Sequence, residues 1–233
     1  MLMPFYQKKP VTRADVLAAC RMPAEFEEHA RVERIEEEFT RGFDFLEKLP
    51  KTISIFGSTR TKETNPYYQQ ARSLAAKVVT ELDYGIVTGG GPGIMEAANR
   101  GAHEAGGISA GLTIELPTQM KPNKYINRRC DFYYFFSRKV ALMFAARMYV
   151  FFPGGYGTLD EFFELVTLVQ TNKIQHVPIV CVGSRFWTPL SKWLNDYLLI
   201  QNEAINEEDL GLFTITDNEA MILEIAAYAE KRH

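Results

Sequence analysis

The sequence has little cysteine, no long apolar run and no excess of positive charge. Its three cysteines, Cys20, Cys130 and Cys181, lie far apart and form no CxxC pair. This spacing argues against a disulfide framework or a zinc site and favours buried thiols in a reducing compartment. The 26 Lys and Arg residues are outnumbered by 29 Asp and Glu residues, which gives a net charge of −3. A polyanion such as duplex nucleic acid is therefore not an expected partner.

The most apolar stretch, residues 140–152, is interrupted by Arg147 and is shorter than the ~20 residues of a membrane span. No extended apolar segment precedes Lys8 and Lys9, so we expect a cytoplasmic protein without a signal peptide or a membrane partner. Hydrophobic residues make up 46% and charged residues 24% of the 233 positions, the composition of a globular protein with a substantial core. The four histidines are scattered, and we expect neither a metal nor a cofactor.

The character of the sequence changes at about residue 50. Residues 25–48 place apolar side chains three or four positions apart among Glu and Arg, which predicts an amphipathic helix with a break near Gly42. We predict an N-terminal helical extension, residues 1–50, that packs on a main domain, residues 51–233. The alternative interpretation is a helix that binds a partner protein.

From residue 51 onward, short apolar segments alternate with helical ones. The pattern predicts strands at residues 53–56, 85–88, 108–114, 132–136, 148–152, 177–182 and 213–216. Nearly continuous apolar strands separated by helices predict an α/β fold, a doubly wound, Rossmann-like and mostly parallel sheet with helices on both faces. Such sheets bind ligands at the carboxyl ends of their strands, where this chain has three glycine-containing loops.

The three loops differ in how strongly they indicate a ligand site. Residues 56–60 allow a close approach to the backbone at Gly57, but a tight turn explains them equally well. Residues 88–97 and 152–161 each lead from a strand through several glycines into a helix, whose free N–H groups suit an anion. Thr158 and Glu161 have the spacing of a capping box. Glu161 is therefore either the cap of its own helix or a carboxylate in a phosphate- and ribose-binding cleft, kept ionised by the helix dipole.

Residues 153–161, Pro-Gly-Gly-Tyr-Gly-Thr-Leu-Asp-Glu, resemble the PGGxGTxxE signature of the LOG family of phosphoribohydrolases, whose members are often labelled lysine decarboxylases. Residues 89–95 look like the GGG loop of the family, and residues 137–143 look like its RKxxM segment. The resemblance spans roughly residues 53–182. It implies hydrolysis of the N-glycosidic bond of nucleoside 5′-monophosphates, AMP-like or cytokinin ribotides, to free base and ribose 5-phosphate, by a homodimer or larger homo-oligomer.

The resemblance also implies a catalytic pair, Arg138 and Glu161. We expect Glu161 to stabilise the positive charge that develops on the ribose and to orient or deprotonate a water molecule, with Arg138 across the cleft. The residues expected to bind substrate come from the three loops and the RKxxM segment: Gly57, Ser58, Gly89, Gly90, Gly91, Gly93, Met95, Arg138, Lys139, Gly154, Gly155, Gly157 and Thr158. The proton donor to the leaving base stays open among Asp160, Glu96 and water.

Two other functions fit parts of the same pattern. A non-catalytic protein that carries a nucleotide or the molybdenum cofactor would use the glycine loops but would not need the pair of Arg138 and Glu161. A decarboxylase that uses pyridoxal phosphate would need a Schiff-base lysine, for which Lys139 is the candidate.

Overall fold

The structure, a computed structural model, describes residues 28–115 and 121–230. The chain divides into two compact units, Met1–Arg34 and Ile35–His233. Helix α1 (Glu28–Glu47) begins in the first unit and ends in the second. The domain boundary at residue 50 stays a prediction. None of the helices in the described ranges is long and apolar enough to cross a membrane.

Strands alternate with helices along the second unit. The strands are β1 (Thr52–Phe56), β2 (Gly85–Thr88), β3 (Ser109–Ile114), β4 (Arg128–Phe132), β5 (Met148–Phe151), β6 (Ile179–Cys181) and β7 (Thr214–Ile215). The helices after α1 are α2 (Pro66–Leu82), α3 (Ile94–Glu104), α4 (Phe135–Met143), α5 (Tyr156–Gln170), α6 (Ser184–Trp193) and α7 (Glu219–Glu230). A π-helical segment, Leu194–Gln201, continues α6, and a 3₁₀ turn, Glu207–Gly211, precedes β7.

All the described strands are parallel and lie in the order β4-β3-β2-β1-β5-β6-β7. The chain winds from β1 to one edge of the sheet, returns to the centre at β5 and then winds to the other edge. This order confirms the predicted doubly wound, Rossmann-like sheet. Because the winding reverses between β1 and β5, a ligand crevice is expected at their carboxyl ends.

Side chains of each strand alternate between two cores, one on each face of the sheet. Ile53 and Ile55 of β1 pack in the core covered by α2, α3 and α7. Phe56 packs in the opposite core, covered by α4, α5 and α6, and Phe45 and Leu46 near the end of α1 contact that core as well. Helices on both faces explain why the central strands β1, β2 and β5 are buried along their whole length, and the buried strands provide a rigid base for the loops at their ends.

The strand predicted at residues 132–136 is wrong, because β4 is observed at Arg128–Phe132. This strand forms the edge of the described sheet and pairs with β3. Arg128 and Arg129 at its start are exposed, so the strand lacks the continuous apolar pattern of its central neighbours. The aromatic run that suggested a strand leads instead into helix α4.

Helix α1 matches most of the amphipathic segment predicted at residues 25–48, of which residues 25–27 lie outside the described part of the chain. The break predicted near Gly42 is wrong, because α1 continues through this residue. A Cβ atom at Gly42 would lie 2.9 Å from the Cζ atom of Phe132. The glycine therefore lets the helix approach the end of β4 closely, and the part of α1 from Ile35 onward belongs to the larger unit.

Candidate functional site

The loops that follow β1, β2 and β5 converge on one cleft of about 1050 Å³ at the carboxyl edge of the sheet. This location agrees with the general rule for ligand sites in doubly wound sheets. The cleft is lined by all but two of the predicted site residues: Gly57, Ser58, Gly89, Gly90, Gly91, Met95, Arg138, Gly154, Gly155, Gly157, Thr158 and Glu161. Loops and helices that are distant in sequence thus contribute to a single surface.

Gly93, one of the two exceptions, joins the second loop to the first. Its φ angle is +72°, and a Cβ atom there would lie 2.2 Å from the carbonyl oxygen of Ser58. This close approach allows the N–H of Ile94 to donate to the same carbonyl at 3.1 Å. The N–H of Ser58 in turn donates to the carbonyl of Pro153 in the third loop at 3.1 Å. Main-chain hydrogen bonds therefore fix the three loops to one another.

Lys139, the other exception, joins helix α4 to helix α5. Its ammonium lies 2.9 Å from the carboxylate of Asp160 and 3.0 Å from that of Glu164. Asp160, a candidate proton donor, is therefore already paired with Lys139. It also lies outside the lining of the cleft. Glu96, another candidate, accepts a hydrogen bond from the hydroxyl of Tyr68 at 3.3 Å and is also outside the lining.

Of the two interpretations of Glu161, the capping box with Thr158 is not observed. Helix α5 begins at Tyr156 with Gly155 as the N-cap, so Thr158 is the third helical residue and Glu161 lies in the second turn. None of the described side chains caps this end, and the N–H groups of the first turn have no intrahelical acceptor. Thr158 packs against Gly154, where a Cβ atom would lie 2.1 Å from the Thr158 Oγ1 atom. The first turn of α5 lines the cleft with its positive dipole end.

Arg138 and Glu161 face each other in the cleft. The Nη2 atom of Arg138 lies 3.7 Å from the Oε1 atom of Glu161, and their side chains are 12% and 14% exposed. The guanidinium also lies over the ring of Phe135, with 5.5 Å between its Cζ atom and the ring centroid. The Nε atom of Arg138 is buried without a hydrogen-bond partner among the described residues. The pair is therefore close enough for electrostatic attraction but keeps donors and acceptors available for a ligand.

Burial raises the pKa of Glu161 to about 7, while the charge of Arg138 opposes the shift. The prediction that the helix dipole keeps Glu161 ionised is therefore wrong, because this residue lies beyond the first turn and desolvation dominates. Burial also lowers the pKa of Arg138, and Glu161 acts in the opposite direction. With this pKa, both the protonated and the ionised form of the Glu161 carboxyl are populated near neutral pH, which suits a group that transfers protons.

A buried polar network beneath the second loop was not predicted. The side chain of Asn99 on α3 is fully buried and accepts hydrogen bonds from Thr88 Oγ1 at 2.7 Å and from Asn123 Nδ2 at 2.9 Å. Asn123 Nδ2 also donates to the carbonyl of Gly91 at 3.0 Å. The network ties the glycine loop to α3. The sequence offered one indication of this network, since Asn99 is a single amide within the buried apolar face of α3. It offered none for Asn123, which lies in a loop without a periodic pattern.

Fold and site together define a doubly wound α/β protein with glycine loops, a carboxylate and a guanidinium at its switch point. Residues 95–225, more than half of the chain, match the model of the family described as "Possible lysine decarboxylase". The chain belongs to this family, the LOG family indicated by its motifs.

Curated plant proteins are similar to this chain at modest identity. A probable cytokinin riboside 5′-monophosphate phosphoribohydrolase, LOGL5 of Oryza sativa subsp. japonica, is 28% identical over 135 residues, which are 55% of this chain and 52% of the rice protein. Cytokinin riboside 5′-monophosphate phosphoribohydrolase LOG7 of Arabidopsis thaliana is 29% identical over 166 residues, 67% of this chain and 70% of the relative. The chain thus spans about half of the rice relative and a larger share of LOG7.

Solved structures agree in fold. The molybdenum cofactor carrier protein of Chlamydomonas reinhardtii superposes with a TM-score of 0.57 at 20% identity, covering 78% of this chain and 98% of that structure. At this level of identity the likeness concerns the architecture alone.

Proposed function

We propose that this protein is a hydrolase that cleaves the N-glycosidic bond of nucleoside 5′-monophosphates and releases the free base and ribose 5-phosphate. The observation that carries the proposal is the pair of Arg138 and Glu161, 3.7 Å apart in a cleft beside the uncapped first turn of α5. The plant relatives, named as phosphoribohydrolases of cytokinin riboside 5′-monophosphates, support the same reaction class. A homo-oligomer and a cytoplasmic location stay predictions.

The 5′-phosphate would bind at the start of α5. Apart from its chain neighbours and the backbone of its own helix, a Cβ atom at Gly155 or Gly157 would meet no atom of the described residues within 4 Å, so packing among them does not require glycine at either position. The bare backbone instead allows phosphate oxygens to approach the N–H groups of the first turn. Arg60 and Lys121, both exposed and both in the lining, add positive charge at the rim. Together these features suit a dianionic sugar phosphate.

The reaction adds the oxygen of water to C1′ of the ribose while the bond to the base nitrogen breaks. Positive charge develops on the ribose in the transition state, and the Glu161 carboxylate would stabilise it and accept a proton from the water. Among the described residues of the lining, Glu161 is the only carboxyl group. Its pKa of about 7 would let it pass the acquired proton to the departing base, so that one water balances the products.

The described lysines fit a Schiff-base mechanism poorly. The ammonium of Lys139 is held by Asp160 and Glu164 outside the cleft lining. Lys121 lines the cleft but is exposed, whereas activated Schiff-base lysines usually sit in desolvated surroundings or beside another cation. A protein that only carries a nucleotide or a cofactor, in turn, has no need of a carboxylate with a raised pKa beside a guanidinium.

Purified protein incubated with AMP is expected to release adenine and ribose 5-phosphate in equal amounts, measured by chromatography of the base and a reducing-sugar assay. Adenosine is the matched control, because it has the same base and ribose but lacks the phosphate that would bind at α5. We expect adenosine to react at least about 100-fold more slowly, since the transition state loses its phosphate contacts. A panel of nucleoside monophosphates that all stay intact would contradict the proposal.

The rate of AMP hydrolysis is expected to fall as the pH drops below about 7. Burial raises the pKa of Glu161 to about 7, so acidification removes the carboxylate that the mechanism requires, and kcat/KM should decline about fourfold between pH 9 and pH 6.5. The profile is best measured between pH 6.5 and 9, since a nucleoside phosphate itself titrates near pH 6. A rate that increases towards acid across this range would identify the protonated form as the active one and contradict the assignment.

A further inference from the structure

We propose that Glu38 of helix α1 is a positioning residue for the cleft: it anchors the start of helix α4 and thereby holds Arg138 opposite Glu161. The inference rests on the proposed hydrolase function and extends it to a residue outside the family match at 95–225. It assigns to the end of the N-terminal helical segment a role in the chemistry of the cleft.

Glu38 differs from its neighbours in burial and in contacts. Residues 36–38 are all glutamates, and the first two are exposed, whereas Glu38 is 2% exposed. Its carboxylate accepts hydrogen bonds from the N–H of Tyr133 at 2.6 Å, from the N–H of Tyr134 at 3.3 Å and from the hydroxyl of Ser137. A carboxylate is buried favourably only with such donors. The donors are the two residues that precede α4 and a residue of its first turn.

Helix α4 depends on this contact because it has no cap of its own. Its N-cap residue, Tyr134, makes no side-chain cap hydrogen bond, and a helix of nine residues is marginal without tertiary contacts. Glu38 therefore holds from α1 the N–H groups of the two residues that precede α4 and the hydroxyl of its third residue, and it places a negative charge at the positive end of the helix. Arg41 fixes the same part of α1 by donating to the carbonyl of Asp131 at 2.7 Å.

The position of Arg138 follows from the position of α4. Arg138 comes directly after Ser137, whose hydroxyl contacts Glu38. The guanidinium has few restraints from outside α4, since its Nε atom has no hydrogen-bond partner among the described residues, its nearest approach to Glu161 is 3.7 Å, and Phe135, whose ring it covers, lies on α4 itself. A shift at the start of α4 would move the guanidinium relative to the reacting bond. Misplacement of a catalytic group by about 1 Å can reduce a rate on the order of 100-fold.

The test compares Glu38→Ala and Glu38→Gln with Glu37→Ala, a matched control that removes the exposed neighbouring carboxylate. With AMP, at a temperature well below each melting transition, we expect Glu38→Ala to lower kcat about 10- to 100-fold with KM within threefold. Glu38→Gln should lose less, and Glu37→Ala should match the wild type. In an Arg138→Ala background, Glu38→Ala should change the rate by less than about threefold, because its effect passes through Arg138. Equal losses in both backgrounds would overturn the inference, as would full activity of Glu38→Ala.

A second measurement does not depend on activity. The pKa of Glu161, followed by carbon NMR of the labelled carboxyl group, should rise in Glu38→Ala towards its value in Arg138→Ala, because a displaced guanidinium stabilises the carboxylate less. The charged groups that act on Glu161 are on α4 and α5: Arg138, Lys139, Asp160 and Glu164. If the wild type hydrolysed no nucleoside monophosphate, the proposed function would be wrong, and the pKa measurement would still test whether Glu38 positions Arg138. An unchanged pKa of Glu161 in both Glu38 variants would overturn this inference separately.

Discussion

Replacing Glu161 with Gln is expected to reduce the release of adenine from AMP about 10²- to 10⁴-fold, the range typical of losing a group that transfers protons. The amide is nearly isosteric with the carboxyl, but it neither carries the negative charge that stabilises the ribosyl cation nor accepts a proton from water. Since the amide can still contact the substrate, KM should change little and the loss should appear in kcat. The acid limb of the pH profile should disappear from any residual activity.

The folded state should tolerate this substitution well. In the folded protein the pKa of Glu161 lies at about 7, above its ordinary value of 4.5. The folded protein therefore binds the proton of the Glu161 carboxyl more tightly than the unfolded chain does. The free energy of unfolding therefore falls as the pH rises from about 4.5 to 7, and the deficit persists above 7. Glu161→Gln removes that deficit, and its melting temperature at pH 8 should equal or exceed that of the wild type.

A matched control is available on the same helix. Asp160→Asn changes the neighbouring carboxyl, which is 58% exposed and pairs with Lys139 outside the cleft lining. Lys139 retains its second partner, Glu164, so activity should stay within about threefold of the wild type. Loss of activity in Asp160→Asn with retention in Glu161→Gln would reverse the assignment of the two carboxylates.

The fold was largely predictable because the sheet is buried on both faces. The bounds of β2 were predicted correctly, since this strand is buried along its whole length and Asp83, with φ 56°, ends helix α2 just before it. The edge strand β4 was misplaced for the opposite reason. It has one neighbouring strand in the described sheet and begins with two exposed arginines, so burial does not impose an apolar pattern on its sequence.

The cleft was predictable to the extent that it consists of loops at strand ends. The resemblance to the LOG family implied Arg138 and Glu161 as a pair, and both line the cleft. What the sequence could not reveal depends on distant contacts: the carboxylate of Glu38 on the start of α4 and the amide of Asn99 beneath the second loop. The raised pKa of Glu161 could not be predicted from the sequence either, because the burial that causes it is a property of the assembled site.

Replacing Arg138 with Ala is expected to reduce kcat for AMP hydrolysis about 10²- to 10³-fold, the usual effect of removing one preorganised electrostatic donor. Arg138→Lys should recover only part of the activity, because an ammonium keeps the charge but not the planar arrangement of donors. The substitution should barely lower the melting temperature, since the Nε atom of the buried guanidinium has no hydrogen-bond partner in the described part of the chain and the side chain contributes little to folding. Arg129→Ala, which removes an exposed arginine outside the cleft lining, serves as the control.

The loss of Arg138 should also change how Glu161 titrates. Arg138 is the charge that most strongly lowers the pKa of Glu161, so in Arg138→Ala this pKa should rise above about 7 and the acid limb of the residual activity should move to higher pH. A rate loss without this shift would mean that Arg138 contacts the substrate without acting on Glu161. A large drop in melting temperature with an unchanged rate per folded molecule would instead make Arg138 a structural residue, and the pair would no longer support hydrolysis.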